Sequence, residues 1–293
     1  MGKTKIKNVT YIRKLKDGKS QVMKELAFST LLKNKLPNKA KLFTELFTEF
    51  DNAIRDVDGT VTGSALNNVH GDWFEWLLAI AAWNYCADHD NANLALLTPN
   101  ISQFDIAKLY NKKLNNLIED LREKVLLSSG VQLISSNPDF VIIDRKLVNA
   151  IFPKLEKITV IDKDTINKIV TAFKQFESFC DFDDIYGYIG VKTSLRPDRR
   201  LQIPHEGSLM KAIYTHLQTR EWIISPKGLK YYAIATQVTG PDRDALRTVA
   251  THSITTVHNI PQAAVDEVYE INSLQQAQIA FVQILNDLPK VVF

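Results

Sequence analysis

The chain has 293 residues, of which 45% are hydrophobic and 24% are charged, an ordinary composition for a globular protein. Its formal net charge of +3 is too small to indicate a nucleic-acid partner by itself. No apolar run reaches the roughly 18 residues of a membrane span, and the start, MGKTKI, lacks a signal-peptide core, so the chain is expected to be soluble and cytoplasmic.

Charge is unevenly distributed at the start of the chain. Residues 1–24 carry eight Lys or Arg and a single acid, Asp17. This run predicts a basic N-terminal arm, either a solvated segment or one that contacts phosphate.

The first hundred residues predict mainly helix. In KLFTELFTEFDNAI, residues 41–54, apolar side chains recur at helical spacing. The segment GDWFEWLLAIAAWNYCA, residues 71–87, opens with Asp72 and has Glu75 three positions later, which is typical of an aspartate-led capping box. A further helix is predicted over 103–127.

The pattern changes in the middle of the chain. Short apolar runs, two of them separated by Ser-Ser-Asn-Pro, predict strands, and they alternate with segments of helical periodicity. The predicted strands are 131–135, 139–144, 186–195 and 230–239, and the predicted helices are 164–180 and 206–217. Such alternation, with helices before and after, indicates an α/β domain with a mixed sheet.

Asp139 and Lys192 are the first residues that suggest chemistry. Asp139 follows a proline at the start of one predicted strand, and Lys192 lies in a later strand that can be its neighbour. An acid can hold Mg²⁺, which prefers oxygen ligands, while a lysine positions the attacking water or stabilises charge on a phosphate. From the residues alone, Asp139 as a turn residue and Lys192 as a solvated edge side chain remain open alternatives.

Asp139 in SNPD, followed by Lys192 in VKTS, resembles the PD-(D/E)XK nuclease superfamily. The superfamily has an acid two residues before the lysine, but that position is Gly190 here. A branch of type II restriction endonucleases that recognises sites with a CCGG core has the same gap, and fills it with a glutamate from the following helix. Glu206 in HEG matches that position. The resemblance extends through GDWFEW, SLMKAIYTHLQTR and TVATHSIT, over most of the chain beyond residue 60.

The resemblance implies a restriction-endonuclease-like α/β fold, a mixed β-sheet flanked by α-helices, as one domain over residues 1–293. It implies that Asp139 and Glu206 bind Mg²⁺ and that Lys192 is catalytic. It also puts the glutamate of WFE, here Glu75, at the active site. The alternative is that Glu75 only caps its helix.

An acid lies inside the basic segment GVKTSLRPDRRLQIPHEG, where Asp198 is surrounded by arginines. Phosphate neutralisation alone would gain nothing from it. In the major groove an arginine fork pairs with guanine and a carboxylate accepts from cytosine N4, which suits the G·C pairs of a CCGG half-site. The resemblance assigns base reading to Arg196, Asp198 and Arg199, and the alternative is a surface salt-bridge cluster. Arg200 has no clear assignment and is either structural or a phosphate contact.

For the outer base pair the resemblance points to Asn68 and Arg220 as DNA-binding residues. It also puts Trp222, in REWII, in the contact between two dimers. A palindromic site requires a two-fold dimer, and the resemblance implies that two homodimers pair into a homotetramer. A cognate DNA methyltransferase would be the functional companion.

The sequence therefore predicts a Mg²⁺-dependent type II restriction endonuclease that cuts double-stranded DNA at purine-CCGG-pyrimidine. By the resemblance it cuts before the first cytosine and leaves four-base 5′ overhangs. One rival is a structure-specific repair or recombination nuclease, which would not need Asp198. The other is a non-cleaving DNA-binding protein, against which Asp139, Lys192 and Glu206 argue.

Overall fold

A five-stranded mixed sheet forms the centre of the fold. A computed structural model describes residues 11–15, 18–99, 104–134, 137–255 and 261–286. Its strands are β1 (Ile12–Lys14), β2 (Ser20–Val22), β3 (Leu94–Leu97), β4 (Phe140–Ile143), β5 (Ile185–Lys192), β6 (Lys230–Ala235) and β7 (Glu267–Glu270). The central sheet has the order β3-β4-β5-β6-β7, antiparallel from β3 to β5 and parallel from β5 to β7.

Helices flank this sheet, which confirms the predicted α/β class. Within the described residues they are α1 (Lys24–Leu31), α2 (Phe43–Val57), α3 (Gly63–Asp88), α4 (Lys112–Ser129), α5 (Arg145–Ile151), α6 (Lys163–Thr171), α7 (Pro197–Arg220), α8 (Gly240–Leu246), α9 (Thr251–Thr255) and α10 (Leu274–Asn286). Single 3₁₀ turns occupy Ile106–Leu109, Ala172–Phe176 and Phe182–Asp184. The long helix α3 packs against β3 and α10, and α7 packs against β5 and β6.

The core follows from two sequence patterns. Strands β3 and β4 are buried at every position, as expected for continuous apolar runs covered on both faces. Helix α2 is amphipathic, and its apolar residues Phe43, Leu46, Phe47, Phe50 and Ile54 are all buried. The predicted helix at 41–54 is therefore confirmed.

Helix α3 begins earlier than the sequence pattern suggested. Its N-cap is Thr62, whose hydroxyl accepts a hydrogen bond from the backbone N–H of Ala65. Asp72 and Glu75 therefore lie in the helix interior, and the predicted capping box is wrong. A capping box satisfies N–H groups that have no partner in the first turn, and positions 72–75 are beyond that turn.

Other boundaries also differ from the predictions. Residues 131–134 form no strand, because Gly130, with φ +70°, ends α4 and the chain beyond it is exposed without a partner strand in the described region. The predicted helix at 103–127 starts only at α4, where the Asn111 side chain accepts from the Leu114 N–H. The helix predicted over 164–180 divides into α6 and a 3₁₀ turn.

The predicted basic arm lies partly outside the described residues, at 1–10 and 16–17. In its remaining part, β1 and β2 pair antiparallel, and Val22 and the preceding Tyr11 are buried. Across the described residues, none of the helices combines the length and the apolar character needed to cross a membrane. Cys86 and Cys180 are buried free thiols.

Candidate active site

The sheet brings Asp139 and Lys192 together. Strands β4 and β5 are antiparallel neighbours whose register pairs Phe140 with Ile189. One step further along, this register brings Asp139 opposite Gly190, and Lys192 ends β5 two residues later. The Nζ atom of Lys192 lies 2.9 Å from Oδ2 of Asp139. An acid and a lysine that are 53 residues apart in sequence thus form a nearly buried ion pair.

The Asp139 carboxylate is held in a fixed orientation. Its Oδ2 also accepts a 2.5 Å hydrogen bond from the backbone N–H of Val191. Both of these donors meet the same oxygen, which leaves Oδ1 as the atom that a cation can approach. Only 8% of the residue is exposed. The backbone of β5 therefore orients the Asp139 carboxylate, and the Lys192 side chain, also in β5, forms an ion pair with it.

Helix α7 carries Glu206 into the same region. Glu206 is 3% exposed, and its neighbour Gly207 explains how the helix approaches the sheet so closely. A Cβ at Gly207 would lie 2.2 Å from the carbonyl oxygen of Ala264 and 3.0 Å from the ring of Tyr231. Only glycine permits this contact. The helix is thereby placed so that the Glu206 side chain reaches β6.

Tyr231 of β6 is a site residue that the sequence did not reveal. Its hydroxyl donates a 2.9 Å hydrogen bond to Oε2 of Glu206, and its side chain is fully buried. Burial raises the pKa of Tyr231 well above its usual value, and the charges of Glu206 and Asp139 raise it further. Both carboxylates therefore act on one hydroxyl, which places them on the same side of the sheet.

Glu75 of α3 faces this group of charges. Burial raises the pKa of Glu75 to about 8, and the negative charges of Asp139 and Asp72 contribute, while Lys192 and Lys24 partly oppose them. Asp72 is itself paired with Lys24 at 2.7 Å. The placement of Glu75 beside Asp139 and Lys192 favours the active-site interpretation over the capping one.

The expected base-reading residues occupy the first turn of α7. The sequence predicted this helix only from residue 206, but Pro197 at its start has the fixed φ that suits a first helical position. Asp198 lies between two arginines, with Oδ2 3.4 Å from Nη2 of Arg196 and 3.6 Å from Nε of Arg199. The side chains of Arg196 and Asp198 are 65% and 60% exposed. These long, exposed contacts hold the group weakly, so its hydrogen-bonding atoms remain accessible.

Arg200 is held differently from its neighbours. Its Nε lies 2.7 Å from Oδ1 of Asp242 in α8 and donates to the carbonyl of Leu195. Asp242 is buried. Of the two roles considered for Arg200, the structure thus favours the structural one, in which it fastens the first turn of α7 to α8.

The two residues expected at the outer base pair lie in different places. Asn68 is exposed on α3, inside the helix rather than before it, and precedes Glu75 by seven residues. Two helical turns separate them, so they share one face, about 10 Å apart. Arg220 is instead the last residue of α7, about 33 Å along the helix from Asp198, and it is 3.6 Å from Asp120. The structure does not bring Arg220 close to the first turn of α7 in its own chain.

Trp222 lies just beyond the C-terminus of α7. Its φ of +55° is a left-handed conformation, and the residue is 88% exposed. Ile224, two residues later, is 95% exposed. Large apolar side chains so fully exposed are typical of an interaction surface. The other three tryptophans, Trp73, Trp76 and Trp83, are buried.

The carboxylates fit a hard cation that keeps part of its water shell. Within the part of the chain that the structure describes, no three His, Cys, Asp or Glu side chains are grouped as a complete metal cage. Mg²⁺ is usually bound by one or two carboxylates with several waters. Asp139 and Glu206 supply two such groups, and Lys192 and Tyr231 supply the donors that hold them.

The chain is similar to known proteins along most of its length. The family model described as Cfr10I/Bse634I restriction endonuclease matches residues 9–287 of the chain. The type II restriction enzyme Cfr10I of Citrobacter freundii is 43% identical over 239 residues, covering 80% of this chain and 83% of that protein.

Solved structures show the same fold. The crystal structure of the type IIF restriction endonuclease Bse634I with cognate DNA superimposes with a TM-score of 0.86 at 31% identity. A second structure of Bse634I restriction endonuclease gives a TM-score of 0.85 at 31% identity. Each comparison covers 94% of this chain and 98% of the other.

Proposed function

The chain belongs to the Cfr10I/Bse634I family of type II restriction endonucleases, and from this we propose that it cuts double-stranded DNA at purine-CCGG-pyrimidine with Mg²⁺ as cofactor. It would cut each strand before the first cytosine and leave four-base 5′ overhangs. The observation that carries the proposal is the buried ion pair of Asp139 and Lys192, beside which α7 places the buried Glu206 carboxylate on Tyr231 of β6. We propose that Glu206 supplies the acid that is missing at Gly190.

Each residue of the site has a proposed role. Asp139 and Glu206 hold Mg²⁺, which would neutralise the charge that develops on the phosphate. Lys192 positions the attacking water or stabilises the phosphate oxygens, and its 2.9 Å contact with Asp139 keeps it at the carboxylate. Glu75 is proposed to act at the active site from α3, where burial, and then the charges of Asp139 and Asp72, raise its pKa.

Recognition is proposed to lie in the first turn of α7. Arg196 and Arg199 donate to guanine, and Asp198 accepts from cytosine N4. The exposure of Arg196 and Asp198 supports this, because a fully paired cluster would have no hydrogen-bonding atoms left for bases. Asn68 is the better placed of the two candidates for the outer pair. A role for Arg220 there would have to be exerted on DNA held mainly by another subunit.

The proposed assembly follows from the palindrome. A dimer gives one active site to each strand, and the exposed Trp222 supports the pairing of two dimers into a tetramer. The protein would act in the cytoplasm beside a cognate methyltransferase that protects host DNA.

The test is digestion of a plasmid of known sequence with Mg²⁺, followed by sequencing of the ends. Cuts at every purine-CCGG-pyrimidine site, and at none of the CCGG sites with other flanks, are expected. Chelation of the metal, or the Asp139→Asn variant, should abolish them. Cuts at branched or mismatched DNA irrespective of sequence would instead identify a structure-specific nuclease, and binding without cutting would identify a DNA-binding protein.

A further inference from the structure

One side chain links the proposed base reader Arg199 to the proposed metal ligand Glu206. Nη1 of Arg199 donates a 2.6 Å hydrogen bond to Oε1 of Gln202, and Nε2 of Gln202 donates a 2.7 Å hydrogen bond to Oε1 of Glu206. The spacings of three and four residues place all three on one face of α7. Gln202 was not singled out by the sequence patterns.

The chemistry of the two partners fixes the direction of this link. A guanidinium only donates hydrogen bonds and a carboxylate only accepts them. A side chain between them must therefore accept at one end and donate at the other, which the Gln202 amide does. A glutamate at position 202 would repel Glu206, and a lysine would repel Arg199. The link depends on an amide of this length.

The backbone of α7 is weakened within the span that this link bridges. Pro204 lies inside the helix and has no N–H to donate to the carbonyl of Arg200. One backbone hydrogen bond of the helix is therefore missing between residues 196–199, the proposed base-reading turn (hereafter the reader turn), and Glu206. The Gln202 side chain connects Arg199 to Glu206 across that gap.

The other oxygen of Glu206 is attached to the sheet. The Tyr231 hydroxyl of β6 donates to Oε2, while Gln202 donates to Oε1. One carboxylate oxygen of Glu206 is thus held by β6 and the other by α7. A displacement of the Arg199 side chain therefore changes how Oε1 of Glu206 is held.

We propose that Gln202 is a positioning residue that makes the placement of Glu206 depend on the reading of guanine by Arg199. The inference rests on the proposed function. The arginine fork has five N–H donors, so Arg199 can keep Nη1 on Gln202 while its remaining donors meet O6 and N7 of guanine. At a wrong base the arginine is displaced, the amide oxygen of Gln202 loses its hydrogen bond from Arg199, and the hydrogen bond from Gln202 to Oε1 of Glu206 is weakened.

The test compares single-turnover cleavage of a purine-CCGG-pyrimidine duplex with that of duplexes carrying one altered core pair. Gln202→Met keeps the length and removes both hydrogen bonds, and Gln202→Asn keeps the amide but is too short to span both partners. In either variant we expect at least a tenfold loss of rate on the cognate duplex. Rates on altered duplexes should stay within twofold, because the link is already broken there, so the ratio of the two rates falls tenfold. Cognate binding without Mg²⁺ should change less than threefold.

A matched control is Gln276→Met in α10. Gln276 is also half-buried and accepts a 2.6 Å hydrogen bond from the backbone N–H of Asn272. It lies far from α7 in sequence. It should leave both rates and their ratio unchanged. If the Gln202 variants slow cognate and altered duplexes by the same factor, or slow neither, the positioning role is refuted. Failure of the wild-type protein to cut the cognate duplex would instead overturn the proposed function.

Discussion

The hydroxyl of Tyr231 occupies the place towards which a side chain at Gly190 would point. A Cβ added at Gly190 would lie 3.0 Å from that hydroxyl oxygen, and the next nearest atoms, in the ring of the same tyrosine, are 3.6 and 3.7 Å away. The same hydroxyl donates a hydrogen bond to Glu206. Tyr231 therefore fills the space of an acid at position 190 and also holds the glutamate that is proposed to replace that acid. The glycine and the tyrosine therefore belong to one arrangement, in which the acid comes from the helix.

The contact between position 190 and the Tyr231 hydroxyl suggests an experiment in which an acid at position 190 replaces Glu206. Glu206→Ala should inactivate the enzyme by removing a metal ligand. Adding Gly190→Glu alone should restore little, because the new side chain collides with the hydroxyl. Adding Tyr231→Phe as well leaves only contacts of ordinary length, so the triple variant should recover at least tenfold over Glu206→Ala in plasmid cleavage. Glu206→Ala with Tyr231→Phe is the control and should remain inactive. Equal rescue with and without Tyr231→Phe would show that the hydroxyl is no obstacle.

Asp139→Asn should lower cleavage at least about a hundredfold, because a bound metal ion contributes several kcal/mol of transition-state stabilisation, and leave cognate binding largely intact. Asparagine keeps the shape but offers a weaker ligand. Lys192→Ala should have a similar effect on rate but also destabilise the fold, since it leaves the buried Asp139 carboxylate without its ion pair. Gel-based cleavage and binding with Ca²⁺ measure the two quantities. Lys154→Ala, at an exposed lysine, is the control. Near wild-type cutting by Asp139→Asn would remove it from the site.

Asp198→Ala should weaken binding to CCGG-core DNA at least tenfold, about 1.4 kcal/mol. The same change removes a negative charge that faces DNA, so affinity for random duplex should hold or rise. Melting temperature should hardly change, because the exposed contacts of Asp198 at 3.4 and 3.6 Å contribute little to stability. Binding must be measured at one salt concentration, since phosphate contacts are salt-dependent. Equal changes for cognate and random DNA would exclude base reading by Asp198.

Glu75 should make the metal-free protein less stable as pH rises. Its pKa is about 8 in the folded protein, compared with 4.5 as the ordinary value. The folded state therefore binds more protons between these values, and the free energy of unfolding falls as pH increases from 4.5 to 8. Glu75→Gln removes this dependence and should stabilise the protein at pH 8 by on the order of a few kcal/mol. Denaturant titrations without divalent cations measure it.

Glu123→Gln, at an exposed glutamate of α4, serves as the control for that series and should follow the wild-type curve. If the free energy of unfolding changes with pH in the same way for Glu75→Gln and for the wild-type protein, Glu75 titrates as an ordinary glutamate.

Trp222→Glu should leave dimers where the wild-type protein forms the proposed tetramer. An unpaired charge buried in an apolar contact costs several kcal/mol, whereas in the isolated subunit the side chain is 88% exposed and the fold should tolerate the change. Sizing chromatography with light scattering measures the mass. Leu127→Glu, at another exposed apolar position, is a control for the general effect of surface charge. An unchanged mass for Trp222→Glu would refute the interface role.

Periodicity alone gave much of the architecture. It predicted α2, the strands β4, β5 and β6, and the body of α7, because these segments have either clear helical spacing or apolar runs between turn residues. It missed β3 and β7, which have only four residues each. Periodicity alone cannot distinguish so short an apolar run from part of a buried helix. The equally short β4 was predicted because the Ser-Ser-Asn-Pro segment before it marks a break in the chain.

The site was less predictable than the fold. Asp139, Lys192 and Glu206 were found through a motif, but nothing local marks Tyr231, which reaches Glu206 only because of where β6 and α7 lie. Gln202 could have been found by spacing once the helix was known to start at Pro197 rather than at residue 206. Contacts across elements depend on register and helix bounds, which are the features that a single sequence specifies least.

The single helix α7 also constrains how new specificities can evolve. It carries the reader turn at one end of a short span and Glu206 at the other, eight residues after Asp198. On the proposed roles, a substitution that changes the bases read by this turn also alters the hydrogen bond that Gln202 donates to Glu206. Changes in sequence preference are therefore expected to pass through variants that cut slowly.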